Sequence, residues 1–312
     1  MPASAPASAF HEGELAVQIR MGVHDKLAAV GRVAIRDHMP EQHRSFFAQL
    51  SFLLAGTVDQ HGQPWACALA GPPGFIHSPE PQRLTVQTQP LAATPLATTL
   101  RVGERIGLLG IEHHTRRRNR MNGVVSAVTP AGFEVQVQQS FGNCPKYIQP
   151  RQALFAPERA AVAQNVLRAP RLDADARQLI QRADTFFIAT AYAGDGTPAV
   201  HGVDVSHRGG PPGFVQLDDE GILTVPDYVG NFFFNTLGNL TVNPRSGLLF
   251  IDFDTGDLLH LAVSVNIIWD GPALAAFAGA QRLLRLQIHE MRRVPAALPL
   301  RWEAVNGKSE AP

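Results

Sequence analysis

PPGFIHSPEPQRLTV (Pro72–Val86) and PPGFVQLDDEGILTV (Pro211–Val225) decide how the rest of the chain is read. The two stretches align without a gap at an offset of 139 residues. GLLGIEHHT (Gly107–Thr115) and GLLFIDFDT (Gly247–Thr255) repeat the likeness at an offset of 140, so one single-residue insertion separates the two matches. Upstream, HGQP (His61–Pro64) echoes DGTP (Asp195–Pro198) at an offset of 134. Signals kept in one order at nearly one spacing mark an internal duplication, which outranks any local propensity. The chain reads as two copies of one domain.

With 312 residues, 45% hydrophobic and 17% charged, the chain can bury two cores. Lys+Arg and Asp+Glu each number 27, so the formal net charge is zero. That sets aside a dedicated nucleic-acid binder, whose electrostatic footprint is basic. The only cysteines, Cys67 and Cys144, exclude a disulfide scaffold and a four-cysteine zinc site. No run of eighteen apolar residues is present to span a membrane. The opening MPASAPASA lacks a cationic start and an apolar centre. It is expected to be a disordered tail, and the cytoplasm is the expected compartment.

The local texture is β. FLLAGTVD (Phe52–Asp59) and FFIATAYA (Phe186–Ala193) are short apolar runs that end in Gln60-His61-Gly62 and Gly194-Asp195-Gly196. WACALA (Trp65–Ala70) and AVHGVDVS (Ala199–Ser206) are their expected hairpin partners. About six strands per copy, separated by Pro/Gly/Asp turns, suggest a small antiparallel barrel. Helices are expected over Glu41–Leu50 and Leu172–Ala183, the second capped by Asp173, with a linker over Gln152–Arg171. A longer helix is expected over Pro272–Arg293, from Leu274, Phe277, Leu284 and Ile288 at helical spacing.

The second copy concentrates residues that could carry chemistry. HGVDVSHRGGPPGF (His201–Phe214) runs into a glycine-rich turn, and Ser206 and Arg208 share a strand face next to backbone NH groups, a phosphate cradle in outline. Asn231, Asn235 and Asn239 stand four apart and would share one helical face, either offering amides to a polar ligand or capping turns. In the first copy, HHTRRRNRMNG (His113–Gly123) sets Arg116, Arg117 and Arg118 on alternating strand faces. That run either reaches an anion or forms a charged sheet edge. Asn143, Cys144, Lys146 and Tyr147 close the copy, Lys146 and Tyr147 being candidates for phosphate and ring contact. His113 and His114 face opposite ways, and no His-x-x-x-His, Cys-x-x-Cys, P-loop, Rossmann fingerprint or Gly-x-Ser-x-Gly elbow occurs.

HGVDVSHRGGPPGFV, LTVPDYVGNFFFNTLGNLTVNPRSGLLFIDF and QSFGNCPKYIQ together resemble the FMN-binding split-barrel proteins related to pyridoxamine 5′-phosphate oxidase. The resemblance implies a mainly β fold with flanking helices: two tandem six-stranded split β-barrels forming an internal pseudo-dimer. It divides the chain into an N-terminal tail and extension (1–40), a first barrel with a degenerate flavin site (41–150), a linker and helix (151–183), and a second barrel with FMN motifs and a C-terminal helix (184–312). It implies FMN as cofactor, bound by Val205, Ser206, His207 and Arg208, by Pro226, Asp227 and Tyr228, by Asn231 and Asn235, and by Arg245. Arg116, Arg117, Arg118, Asn143, Lys146 and Tyr147 would close the site from the first copy. That copy has QTQPLAATPLATTLRVG in place of the asparagines and the Asn-Pro-Arg. The activity implied is an FMN-dependent oxidoreductase acting on a small-molecule substrate, with NAD(P)H as electron donor and neither nucleic acid nor membrane as partner. Two readings stay open beside it: a non-catalytic flavin- or haem-binding module, and further association of chains into a homodimer.

Overall fold

The computed structural model describes residues 8–160, 165–193 and 202–305. The Asp195–Pro198 echo and the Gly194-Asp195-Gly196 turn lie outside them. In chain order, α1 (Glu12–Arg20), α2 (His24–Ala34) and α3 (Glu41–Ala48) precede β1 (Phe52–Val58), β2 (Pro64–Ala70), β3 (Ile76–Glu80) and β4 (Arg83–Val86). The short α4 (Leu96–Thr99) leads to β5 (Arg105–Glu112), β6 (Arg117–Thr129) and β7 (Gly132–Gly142). A connection with β8 (Arg151–Phe155), β9 (Leu167–Ala169) and α5 (Ala174–Arg182) opens the second half. There follow β10 (Thr185–Tyr192), β11 (Gly202–Gly209), β12 (Gln216–Leu217), β13 (Ile222–Asp227), α6 (Asn235–Val242), β14 (Arg245–Ile251), β15 (Leu258–Ile268), β16 (Arg282–Val294) and β17 (Leu300–Ala304).

The duplication is explicit in the topology. The first sheet runs β2-β1-β5-β6-β7-β4-β3 and the second β11-β10-β14-β15-β16-β13-β12. Each position in one has its counterpart in the other, and the pairs along both paths are antiparallel. These are two tandem split barrels, each with one short extra edge strand, β3 or β12. The repeated Pro-Pro-Gly-Phe is one turn built twice. Phe75 N–H donates to Pro72 O at 2.9 Å, and Phe214 N–H to Pro211 O at 3.0 Å. Gly74 and Gly213, at φ +94 and +84, take the left-handed position that the second half of such a turn requires.

The strongest strands are apolar on both faces because two cores need them. Leu53 and Ala55 enter the first barrel's core, whereas Phe52 and Leu54 enter a core shared by the two halves. Phe186 and Ile188 enter the second barrel's core, and Phe187 and Ala189 the shared one. A continuous apolar run is what a strand buried on both sides demands. Close approach across the seam rests on the glycines of the second repeat. A Cβ on Gly107 would stand 2.1 Å from Val203 O, and one on Gly247 would stand 2.2 Å from Pro64 O. Each barrel thus presents its Gly-Leu-Leu strand to the hairpin edge of the other, as a pseudo-dimer must.

Two expectations are corrected. The helix expected over Pro272–Arg293 is a 3-10 turn at Pro272–Ala276 followed by the thirteen-residue strand β16. Leu284, Leu286 and Ile288 alternate inward with Arg285, Gln287 and His289 outward, a period of two and not 3.6. The connection after residue 150 is not bare linker, since β8 pairs with β17 and β9 with β16. The N-terminal extension is helical from Glu12, where His11 caps α1 in a capping box with Glu14. The helices at Glu41–Ala48 and Ala174–Arg182 match the sequence reading, and the Asp173 carboxylate caps the second by accepting from Ala176 N–H at 2.8 Å.

Candidate functional site

An open cleft lies on the seam between the halves. The first half contributes β6 and the segment around Asn143–Tyr147; the second contributes β11, β13, the loop before α6, and β16. Strand alternation puts Arg118 and Arg120 on the cleft side of β6. Arg120 is held by four acceptors. It donates to Asp204 (3.0 Å), Asn235 Oδ1 (2.9 Å) and Val205 O (3.1 Å), and to the Ser206 hydroxyl. Arg118 Nε donates to Cys144 O at 2.6 Å, and its Nη1 to His207 Nδ1 at 3.1 Å. On the opposite wall Asp227 lies 3.7 Å from Arg208 and 3.3 Å from Arg282.

The balance of charge is positive. Arg118, Arg120, Arg208, Arg282 and Lys146 line the cleft with Asp227 as its only lining carboxylate among the described residues. Burial, then the neighbouring Arg208 and Arg120, draw Arg118 down to about 10. Burial lowers Arg208 as well, against the pull of Asp227. Burial raises Asp227, with Arg208 and Arg282 opposing. Arg120 Nε, Arg208 Nε and Arg282 Nη1 are buried donors without a hydrogen-bond acceptor, and Arg282 Nε has only the Asp227 carboxylate at 3.3 Å. The guanidinium charges are therefore incompletely matched within the protein, and an anion in the cleft would balance them. Burial, followed by the field of Arg118, holds His207 well below the usual imidazole range, so it is neutral near pH 7.

The rim is aromatic. Tyr147 and Tyr228, one from each half, stack at 5.2 Å, and Tyr147 donates to Val229 O at 3.3 Å. Phe232 and Phe234 meet edge to face at 5.9 Å. Tyr147, Phe232 and Phe234 have φ of 65, 63 and 63, a left-handed backbone that bulky residues rarely adopt. Strained residues of this kind collect at binding sites, where the surrounding structure holds them.

Of the residues singled out from sequence, the cleft brings together Ser206, His207, Arg208, Pro226, Asp227, Tyr228, Asn231, Asn235, Arg118, Asn143, Lys146 and Tyr147. It leaves out four. The Val205 side chain turns into the shared core, and only its carbonyl meets Arg120. Arg116 sits in the β5–β6 turn at φ 56. Arg117, on the other face of β6, lies over the Phe46 ring at 4.9 Å. Arg245 reaches His61 O at 2.7 Å, not the cleft. The expected three-asparagine face is also divided. Asn231 precedes α6, where its side-chain Oδ1 accepts from Phe233 N–H, while Asn235 and Asn239 point into a buried polar ring. Arg282 and the Phe232–Phe234 rim were not foreseen. Arg282 was hidden by the helical reading of β16; the period-two alternation that follows it was the available signal.

The pseudo-symmetric position in the first barrel is closed. Gly56 pairs with Ala66 and Gly107, as Ala189 pairs with Val205 and Gly247. Trp65, Cys67, Ala68 and Leu69 therefore stand where Asp204, Ser206, His207 and Arg208 stand. The β6 and β15 registers likewise set Leu258 and His260 against Arg118 and Arg120. His260 Nδ1 meets Ala66 O at 2.9 Å, the counterpart of the Arg120 bond to Val205 O. The replacements are all buried, and none of them is an arginine.

Two fused split barrels with one cationic, aromatic-rimmed cleft on their seam define the class of protein. The sequence profile of the pyridoxamine 5′-phosphate oxidase family matches residues 39–167 and again 172–305, and the chain belongs to that family. Comparison with curated proteins gives no match. Among solved structures, a variant of HupZ from Group A Streptococcus is 12% identical, with 39% of this chain and 98% of that one covered at a TM-score of 0.31. A FAD-binding protein from Mesorhizobium loti is 14% identical, with 41% and 97% covered at 0.27. HutZ, the heme storage protein from Vibrio cholerae, is 15% identical, with 38% and 89% covered at 0.25.

Proposed function

We propose that the cleft binds FMN and that the protein is an FMN-dependent oxidoreductase, passing hydride or electrons from NAD(P)H to a small-molecule substrate. The observation that carries this is the cationic lining, Arg118, Arg120, Arg208, Arg282 and Lys146 against one carboxylate, in a cleft with an aromatic rim. A phosphate monoester is the anion such a lining attracts, and a planar ring suits the rim. Arg118 and Arg208 would hold the phosphate above the fixed charge of Arg120, with Tyr147, Tyr228, Phe232 and Phe234 about the ring. FMN supplies the redox chemistry when bound.

The protein's own part is binding, orientation and electrostatics. Asp227 fixes Arg208 and Arg282 without cancelling both charges. A guanidinium only donates, so His207 Nδ1 accepts from Arg118 and the ring's hydrogen sits on Nε2. Neutral and in that tautomer, His207 offers no lone pair from Nε2. His207 therefore presents no nitrogen to a haem iron in this arrangement. The test is an absorbance titration of purified protein with FMN and, separately, with haemin, followed by NAD(P)H. One FMN per chain, with flavin bands bleached by NAD(P)H, is expected. Protein that takes up no FMN overturns the proposal, and a Soret band with haemin transfers the cleft to the alternative.

A further inference from the structure

The cleft's most constrained arginine is tied to a helix that precedes both barrels. Glu14 of α1 is buried, and one of its carboxylate oxygens accepts from the Asn235 amide. The Asn235 oxygen accepts from Arg120 at 2.9 Å, and Arg120 donates to Asp204 at 3.0 Å. The other Asp204 oxygen accepts from Asn239 Nδ2 at 3.0 Å. Asn239 Oδ1 meets His11 Nε2 at 2.8 Å, and the His11 backbone N–H returns to Glu14 at 3.0 Å. Six residues from α1 and its cap, α6, β6 and β11 thereby close a ring of hydrogen bonds beneath the cleft.

Elementary donor counting leaves the ring one direction. Arg120 can only donate, so the Asn235 oxygen must face it and the NH2 must face Glu14. Ionised Asp204 can only accept, so Asn239 turns its NH2 to Asp204 and its oxygen to His11. His11 Nδ1 accepts from Gly13 N–H at 3.1 Å, which leaves the hydrogen on Nε2, where Asn239 needs it. The contact beneath is equally tight. A Cβ on Gly13 would stand 2.2 Å from Gly238 O, so α1 and α6 touch backbone to backbone.

We infer that α1 belongs to the cofactor-binding machinery: Glu14 and His11 are positioning residues that hold Arg120 toward the cleft through Asn235 and Asp204, and the proton on Glu14 regulates that grip. Burial, then the nearby Asp204 carboxylate, push Glu14 up to about 8, against the bonds from His11 and Asn235 and the charge of Arg120. His11, Arg120 and Asp204 are the titratable and charged groups that face it. Below that pH Glu14 is neutral and its oxygens still accept from Asn235 and the His11 N–H. Above it two buried carboxylates share one arginine, and less of the Arg120 charge is left for an anion in the cleft.

The inference rests on the cleft binding FMN, and its test separates the two. Glu14→Gln keeps an acceptor oxygen for Asn235 but no titrating proton; Glu14→Leu keeps bulk and removes the acceptor. FMN affinity at pH 7, by quenching of flavin fluorescence, should fall about tenfold or more in Glu14→Leu and recover in Glu14→Gln. In wild type it should weaken above pH 8, and in Glu14→Gln it should not. Melting of the ligand-free protein between pH 6.5 and 8 should decline in wild type and stay level in Glu14→Gln. Wild-type affinity in Glu14→Leu, or an unchanged pH slope in Glu14→Gln, overturns the inference. Wild type that binds no FMN ends the proposed function alone, since the ligand-free slope still judges the ring. Should Glu14→Leu fail to fold, the Glu14→Gln slope decides.

Discussion

Arg208 and Arg245 make opposite predictions from the same side-chain chemistry. Arg208 lines the cleft with a buried Nε that lacks an acceptor, and Asp227 keeps Arg282 if Arg208 is removed. Arg208→Ala should weaken FMN binding by one to two orders of magnitude, roughly the loss of one or two charge-assisted bonds, while the protein still melts cooperatively. Arg245→Ala should leave FMN affinity unchanged, because that side chain is spent on His61 O. Asn231→Ala should weaken binding less than Arg208→Ala, because Asn231 acts by fixing the turn that seats Phe232, through its bond to Phe233 N–H. Equilibrium titration beside a thermal melt checks all three, and equal affinity of Arg208→Ala and wild type would refute the site. Much of this was legible at residue level, since a serine and an arginine two apart on a strand before a glycine turn already outline an anion cradle. Arg245 misled because proximity to Asn-Pro in sequence says nothing about which way a strand's first side chain points.

Elements were read well where one physical signal dominated and poorly where two periods competed. β1 and β10 were plain, because a strand buried on both faces must be apolar throughout. β16 was not: Leu284 and Ile288 are four apart, which satisfies a helix as well as a strand, and only Leu286 between them breaks the tie. α1 was invisible as a site element, because Glu14 and His11 gain meaning only from Asn235 and Asn239, more than two hundred residues away. Its docking can be tested through glycine. A Cβ on Gly238 would stand 2.6 Å from Glu14 N and 2.7 Å from its Cα, backbone that cannot step aside. Gly238→Ala should therefore destabilise by about 2 kcal/mol or more by displacing α1, and should weaken FMN binding with it. Gly202→Ala, where nothing lies within 4 Å, should do neither. Chemical denaturation of the two variants checks this, and equal midpoints would refute the docking.

At the scale of the molecule, the two pseudo-symmetric positions on the seam differ: one is an open cleft built by both halves, and its counterpart is filled with buried side chains. The first barrel keeps the Gly-Leu-Leu strand and the Pro-Pro-Gly-Phe turn because the seam and the core require them. Where β11 carries Asp204, His207 and Arg208, its β2 carries Trp65, Ala68 and Leu69, which the shared and inner cores bury. The same seam buries titratable groups, and they set the pH dependence of the whole fold. Burial holds His113 down to about 3 and His260 to about 4, and His207 well below its ordinary value of 6.5. A group whose folded pKa is depressed loses its contribution as pH falls, because the unfolded chain takes up protons that the folded one refuses. Each of these histidines therefore stabilises above pH 6.5 and gives way below it. Glu14 has the opposite sign. Raised from 4.5 to about 8, it holds a proton that the unfolded chain has released, so stability falls across that interval as pH rises. Below 6.5 three histidines outweigh one glutamate, and between 6.5 and 8 the glutamate acts against none of them. The melting temperature of ligand-free protein should thus peak near pH 6.5 and fall on both sides, more steeply toward acid. A midpoint that continues to climb from pH 6.5 to 8 would contradict the buried ring, and one that holds level down to pH 4 would contradict the neutral histidines of the seam.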